Sequence, residues 1–179
     1  MNKKIFIAAL TVVLIAGVYL GVRAYNLYQT KKFSPWEKVT FDNADVLVEV
    51  GYCRPYMRGR KIFGDLVPYG RWWRTGANEA TQIELSRDLL FGSDTLKAGL
   101  YSIVTIPEED EWTIIFNNTI PEWGLYYTPK DDELRIKASV QALPEQVEQF
   151  TIDFSEEDGK PTMIFAWDHT KVTLPFAVR

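Results

Sequence analysis

Residues 133–140 read Glu-Leu-Arg-Ile-Lys-Ala-Ser-Val. Leu134, Ile136, Ala138 and Val140 alternate with Glu133, Arg135, Lys137 and Ser139. Successive side chains of a strand point to opposite faces, so this stretch buries one face of a sheet and wets the other. The period of two recurs outward in both directions. Trp112, Ile114 and Phe116 carry it before this stretch, and Val46, Val48 and Val50 carry it earlier still. After it come Phe150, Ile152 and Phe154, then Met163, Phe165 and Trp167, then Val172, Leu174 and Phe176. Turn residues fall between the runs, at Gly92-Ser-Asp94, Ala98-Gly99, Glu156-Glu-Asp-Gly159 and Asp168-His-Thr170. A single helical turn is expected at Pro144–Val147. Closely spaced strands with such turns predict an all-β fold: an antiparallel β-sandwich or flattened barrel, preceded by one N-terminal transmembrane helix.

That helix is read from the first residues. Met1-Asn-Lys-Lys4 precedes Ile5–Val22, a run of eighteen residues without a charge. As a helix it spans about 27 Å, close to the ~30 Å hydrocarbon core of a bilayer. Cleavable signals have shorter apolar regions, about 7–15 residues. An uncleaved signal-anchor is therefore expected over 1–22. Cleavage near Ala24 is the alternative, which would leave the domain secreted. A polar juxtamembrane linker with Tyr25, Tyr28 and Trp36 is expected over 23–44, and the β-sandwich domain over 45–179. The lysine leader places the domain outside the cytoplasm, on the periplasmic side of the inner membrane, as a cell-envelope protein.

Composition removes several classes of function. The formal charge is −4, against a general nucleic-acid binder. Hydrophobic residues at 46% exclude a disordered chain. One cysteine, Cys53, excludes an internal disulfide, and one histidine, His169, excludes a multi-histidine metal site within one chain. No metal site and no cofactor is expected. Phosphate-loop, calcium-loop and hydrolase-elbow motifs are missing from the sequence.

Residues 52–80 break the strand grammar. They read YCRPYMRGRKIFGDLVPYGRWWRTGANEA, too aromatic and too long for a plain connection. The run GRKIFGDLVPYGRWWRTGANEAT, with LKAGLYSIVTIP and EWTIIFNN further on, resembles a bacterial family, domain of unknown function 2911. The resemblance covers roughly Val46 to Val178 and is most specific at residues 74–81. It implies an exported β protein and no established reaction. The family pattern often places serine where this chain has Cys53, and it does not fix a histidine at His169.

Charge is uneven along the chain. Arg54 to Arg74 holds six basic residues and one acid, Asp65. Glu108 to Asp158 holds fourteen acids and three basic residues, which reads as a solvated face. Arginines in a loop bind carboxylate or phosphate through paired N–H donors, or they pair internally with Asp65, Glu79 and loop carbonyls. Trp72, Trp73 and Trp123 offer flat faces for a sugar ring; the bland alternative is one core ring and one edge cap. Adjacent strand residues face opposite ways, so Trp72 and Trp73 are not expected to share one platform. Glu79 with Asp65 matches the minimal requirement for glycoside hydrolysis, two carboxyls, but their spacing in a loop carries little weight. Cys53 and His169 as nucleophile and base carry less.

The preferred reading is an anchored β module that binds a polar or anionic ligand, a glycan or small molecule, at the 52–80 loop. The expected ligand-binding residues are Arg54, Arg60, Trp73, Arg74, Asn78 and Glu79. The membrane, through the N-terminal helix, is the expected partner. The rivals are a hydrolase using Glu79 and a structural or partner-docking module of an envelope complex. Arg74, Asn78 and Glu79 are expected to converge, with Glu79 accepting hydrogen bonds from an arginine or from backbone N–H groups.

Overall fold

The computed structural model describes residues 3–157 and 159–179, with the side chains of residues 5, 6 and 8 outside the description. Met1 and Asn2 of the expected anchor, and Asp158 of an expected turn, lie outside the described residues. The chain forms two compact units, divided between Phe33 and Ser34.

The first unit is one α-helix, α1 (Lys3–Phe33). From Ile7 to Tyr28 its described apolar side chains are exposed. Ala9–Phe33 is long and apolar enough to cross a membrane. No proline or acid interrupts it, and it stops at Ser34, which precedes Pro35 and is therefore biased away from helical backbone.

The second unit is mostly strand. Its main sheet holds β1 (Trp36–Asp42), β2 (Leu47–Cys53), β3 (Gln82–Leu85), β6 (Gly99–Pro107), β7 (Glu111–Asn117), β8 (Asp132–Glu157) and β9 (Lys160–Pro175). The order is β1-β2-β3-β6-β7-β8-β9, with every pairing antiparallel. A second sheet, in the order β10-β4-β5, is formed by β4 (Leu89–Phe91), β5 (Asp94–Leu96) and β10 (Ala177–Val178). Residues 23–44, expected as a linker, are thus divided between the end of α1 and β1. The reason is local: Val39 and Phe41 continue the period of two and pair with Val50 and Val48.

Strand β8 makes the architecture. Its first part pairs with β7, with Ile136 opposite Ile114. Its second part pairs with β9, with Ile152 opposite Phe165. The register breaks between Ala142 and Val147 and again before Thr151. Extra residues of this kind bend a strand and increase its twist. The bend carries the distal half of β8 round to the chain leaving β2. There Met57 N–H donates to the Glu148 carbonyl at 2.8 Å, and Phe150 N–H to the Pro55 carbonyl at 2.9 Å. The sheet is therefore a curled antiparallel half-barrel, in line with the all-β expectation.

Two local expectations are corrected. Pro144–Val147 is not a helical turn but part of β8, at the register break. Asp168–Thr170 is not a turn between strands but lies inside β9. Asp168 takes a left-handed backbone angle, φ 54°, opposite Val147, so its turn chemistry is spent on a bulge.

The concave face holds the core. Phe150, Ile152, Phe165 and Trp167 are buried in it, and Leu134 and Ile136 pack against it half-buried. The Tyr52 hydroxyl ties β2 to β8: it donates to the Ile152 carbonyl at 3.1 Å and accepts from the Ile152 N–H at 2.8 Å. Phe91 of the small sheet stacks on Phe116 of β7 at 5.4 Å.

Candidate functional site

The segment from Arg54 to Thr81 joins β2 to β3, and its course is fixed at both ends. Strand β3 covers β6 only to Ser102. Beyond that point Trp73 takes over the open edge, its N–H donating to the Thr105 carbonyl at 2.7 Å and its carbonyl accepting from Thr105 N–H at 2.9 Å. Trp73 then turns inward. Its ring stacks on Trp167 at 5.8 Å and meets Phe150 at 4.9 Å. Trp72 faces out and meets Tyr127 at 5.7 Å. The two rings face apart, because adjacent residues in extended chain do.

After Arg74 the backbone is contorted. Thr75, a β-branched residue, holds φ 55°, and Asn78 holds φ 57°. Such angles are outliers for β-branched side chains and persist only where surroundings over-determine them. Here Thr75 Oγ1 is 3.2 Å from Thr105 Oγ1, and the Thr75 carbonyl accepts from Thr81 Oγ1 at 2.7 Å. Between them Gly76 sits at φ 151°, where a Cβ would lie 2.8 Å from the Cys53 carbonyl oxygen.

This loop walls a cleft of about 340 Å³. Arg60, Trp73, Arg74 and Asn78, four of the six residues expected to bind ligand, line it together. Pro55, Leu66, Val67 and Trp167 complete an apolar wall that the sequence did not assign to a site. Trp167 reads from its alternation as core, which it also is. No carboxylate side chain is among the lining residues.

The other two expected residues are engaged elsewhere. Arg54 pairs with Glu37 of β1, donates Nε to the Phe150 carbonyl at 3.1 Å and donates Nη2 to Thr151 Oγ1 at 2.8 Å. It thereby clamps β1 and β2 to β8. The Glu79 carboxylate accepts from the Cys53 thiol at 3.0 Å, and Glu79 bridges Trp123 in extended pairing. Glu79 is not among the cleft-lining residues. Asp65 is exposed, and His169 contacts the Leu143 carbonyl through Nδ1 at 3.0 Å. Among the described residues no group of three His, Cys, Asp or Glu side chains could hold a metal ion.

Arg74 lines this cleft and also a smaller cavity with Trp72, Gly124 and Tyr126. It is half-buried, and removal from water holds its guanidinium below the usual arginine range. Among the described residues it has no hydrogen-bond or ion-pair partner. Its stem lies on Gly124, where a Cβ would come within 2.8 Å of Arg74 Cβ and Cδ. Gly124 is held there by its N–H, which donates to the Asn78 carbonyl at 3.0 Å. Arg60 stands at the exposed rim, with Nε on the Met57 carbonyl at 2.8 Å and Nη2 on the Tyr56 carbonyl at 2.7 Å.

Fold and cleft together define a class: a small β half-barrel that follows, in the sequence, a helix able to anchor in a membrane, with an arginine-lined cleft at one loop. Residues 34–176 match the family described as Protein of unknown function (DUF2911), and the chain belongs to that family. No curated protein and no solved structure matches the chain.

Proposed function

We propose that this protein is an anchored envelope module that binds a small anionic ligand in the Arg74 cleft. The observation that carries the reading is that Arg74, half-buried and without a hydrogen-bond or ion-pair partner among the described residues, lines a cleft with no lining carboxylate. A buried charge without a counter-charge costs stability, and a ligand oxyanion removes that cost. Arg60 adds a second cation at the rim, and the cleft's volume falls in the range of small-molecule sites. The anionic alternative is favoured over a neutral glycan, because the indole N–H groups that would meet sugar hydroxyls are spent internally. Trp73 Nε1 donates to the Gly76 carbonyl at 3.1 Å and Trp167 Nε1 to the Glu148 carbonyl at 3.3 Å.

The test uses the full chain in nanodiscs of neutral lipid. Inorganic phosphate and acetate are compared with chloride at equal ionic strength, by thermal shift. A ligand that binds only the folded state raises the melting temperature. The expected result is a rise with phosphate or acetate that disappears in Arg74→Gln. Equal melting temperatures in all three salts would sink the reading.

The uncharged run of α1 behind Lys3 and Lys4 supports a domain outside the cytoplasm. Protease added to intact spheroplasts should then digest the domain, whereas protection until lysis would place it inside.

A further inference from the structure

We infer that the ligand of this cleft is an amphiphilic oxyanion: a carboxylate or phosphate head held by Arg74 and the backbone of residues 76–78, on a flat apolar body lying against Trp73 and Trp167. The inference rests on the anion reading above and adds the ligand's second half.

Three observations carry it. First, Gly76, Ala77 and Asn78 are consecutive and all line the cleft. Their N–H groups donate to no group among the described residues, whereas the carbonyls of Gly76 and Asn78 are both used, by Trp73 Nε1 and Gly124 N–H. Backbone N–H groups are obligatory donors, and three left open in a row demand water or an acceptor. Second, three of the four residues from Thr75 to Asn78 hold positive φ angles, at Thr75, Gly76 and Asn78. Turn conformations of this kind gather successive N–H groups into a concavity that suits an anion. The strain at buried Thr75 is maintained by Thr105 and Thr81, so the cradle is formed before any ligand arrives. Third, the apolar part of the lining offers no free side-chain donor among the described residues. Trp73 and Trp167 have spent their N–H groups, and Pro55, Leu66 and Val67 are apolar. A bare phosphate would leave this wall wet, and a sugar would leave its hydroxyls unpaired there.

The experiment titrates full-length, ¹⁵N-labelled protein in neutral-lipid nanodiscs with five probes: acetate, inorganic phosphate, 2-naphthoate, 2-naphthyl phosphate and cellobiose. Empty nanodiscs correct for partition of the aryl probes. The expected result is that an aryl anion binds at least tenfold tighter than its bare counterpart. The amide resonances of Gly76, Ala77 and Asn78 should move, and Arg74→Gln should weaken binding at least tenfold. The tighter of the two aryl probes assigns the head as carboxylate or phosphate. Equal affinity for bare and aryl anions overturns this inference and leaves the anion reading standing. Tight aryl binding without movement of those three amides overturns the cradle. Binding of cellobiose alone, or of none of the five, overturns both readings. If Arg74→Gln does not fold, the titration of the unaltered protein decides by itself.

Discussion

Arg54 and Arg74 lie twenty positions apart in one basic segment, and their surroundings give them opposite jobs. Arg54 has a carboxylate, a carbonyl and a hydroxyl, so it holds strands together. Among the described residues Arg74 has none of these, so its half-buried charge is a standing cost. Replacing each with methionine should therefore change stability in opposite directions. Arg54→Met should lose roughly 1–3 kcal/mol in a denaturant melt, because Glu37 and the Phe150 carbonyl lose a charged donor. Arg74→Met should hold or gain up to about 1 kcal/mol, as removal of a strained functional group commonly does. A loss of more than 2 kcal/mol at Arg74 would assign it a structural role. Gly76 gives a further check at this scale. Gly76→Ala forces a Cβ toward the Cys53 carbonyl at an unfavourable φ and should cost about 1–3 kcal/mol. A neutral result would mean that the loop is free to rearrange.

At the scale of elements, β8 carries the fold, because it pairs with β7, then bends and pairs with β9. The lock on that bend is Tyr52, whose hydroxyl both donates to and accepts from Ile152. Burial, the main cause, pushes the Tyr52 hydroxyl up to about 12 from the usual 10.0. The folded state thus favours the neutral phenol. Its contribution to stability is fully present below pH 10 and is lost as pH rises through about 12. Tyr127 is raised to about 12 too, by burial and by its bond to Asp132, and acts in the same direction. Denaturant melts from pH 8 to 12 should show stability falling above pH 10, less steeply in Tyr52→Phe. That variant should also lose about 1–2 kcal/mol at neutral pH, since the Ile152 N–H is left without its acceptor. Identical slopes for the two proteins would show that Tyr52 ionises as freely folded as unfolded. Phe150 and Trp167 lie on the two halves of the same hairpin, and both are fully buried. Truncating either to alanine should cost about 3–5 kcal/mol.

At the scale of the molecule, the two units dispose their apolar residues differently. Helix α1 exposes its apolar side chains from Ile7 to Tyr28, as a segment able to cross a membrane does. The β unit instead buries its large apolar side chains in one core. Mass measurement of the protein extracted from membranes should return the intact chain. An N-terminus at Tyr25 would show instead that the first segment is removed after export.

Sequence alone determined what depends on near neighbours. The alternation at 133–140 and its repeats settled that the chain forms strands, because the two faces of a strand are written in consecutive residues. The uncharged run of α1 was equally plain, since membrane compatibility is a property of a continuous segment. The oddness of residues 52–80 was legible as well, and four residues chosen from that segment line one cleft. Tertiary structure decided the rest. A helical turn at Pro144 and a break at Asp168 were sound local inferences, but pairing across the β8–β9 hairpin turned both into bulges. Trp167 as a wall of the cleft was out of reach, because ninety-three positions separate it from Arg74 and only the curl of β8 brings their neighbourhoods together. Which arginine would find a carboxylate was likewise unwritten locally. Glu37 meets Arg54 through the β1–β2 register, while among the described residues no acid meets Arg74 and the chain that packs beside it offers Gly124.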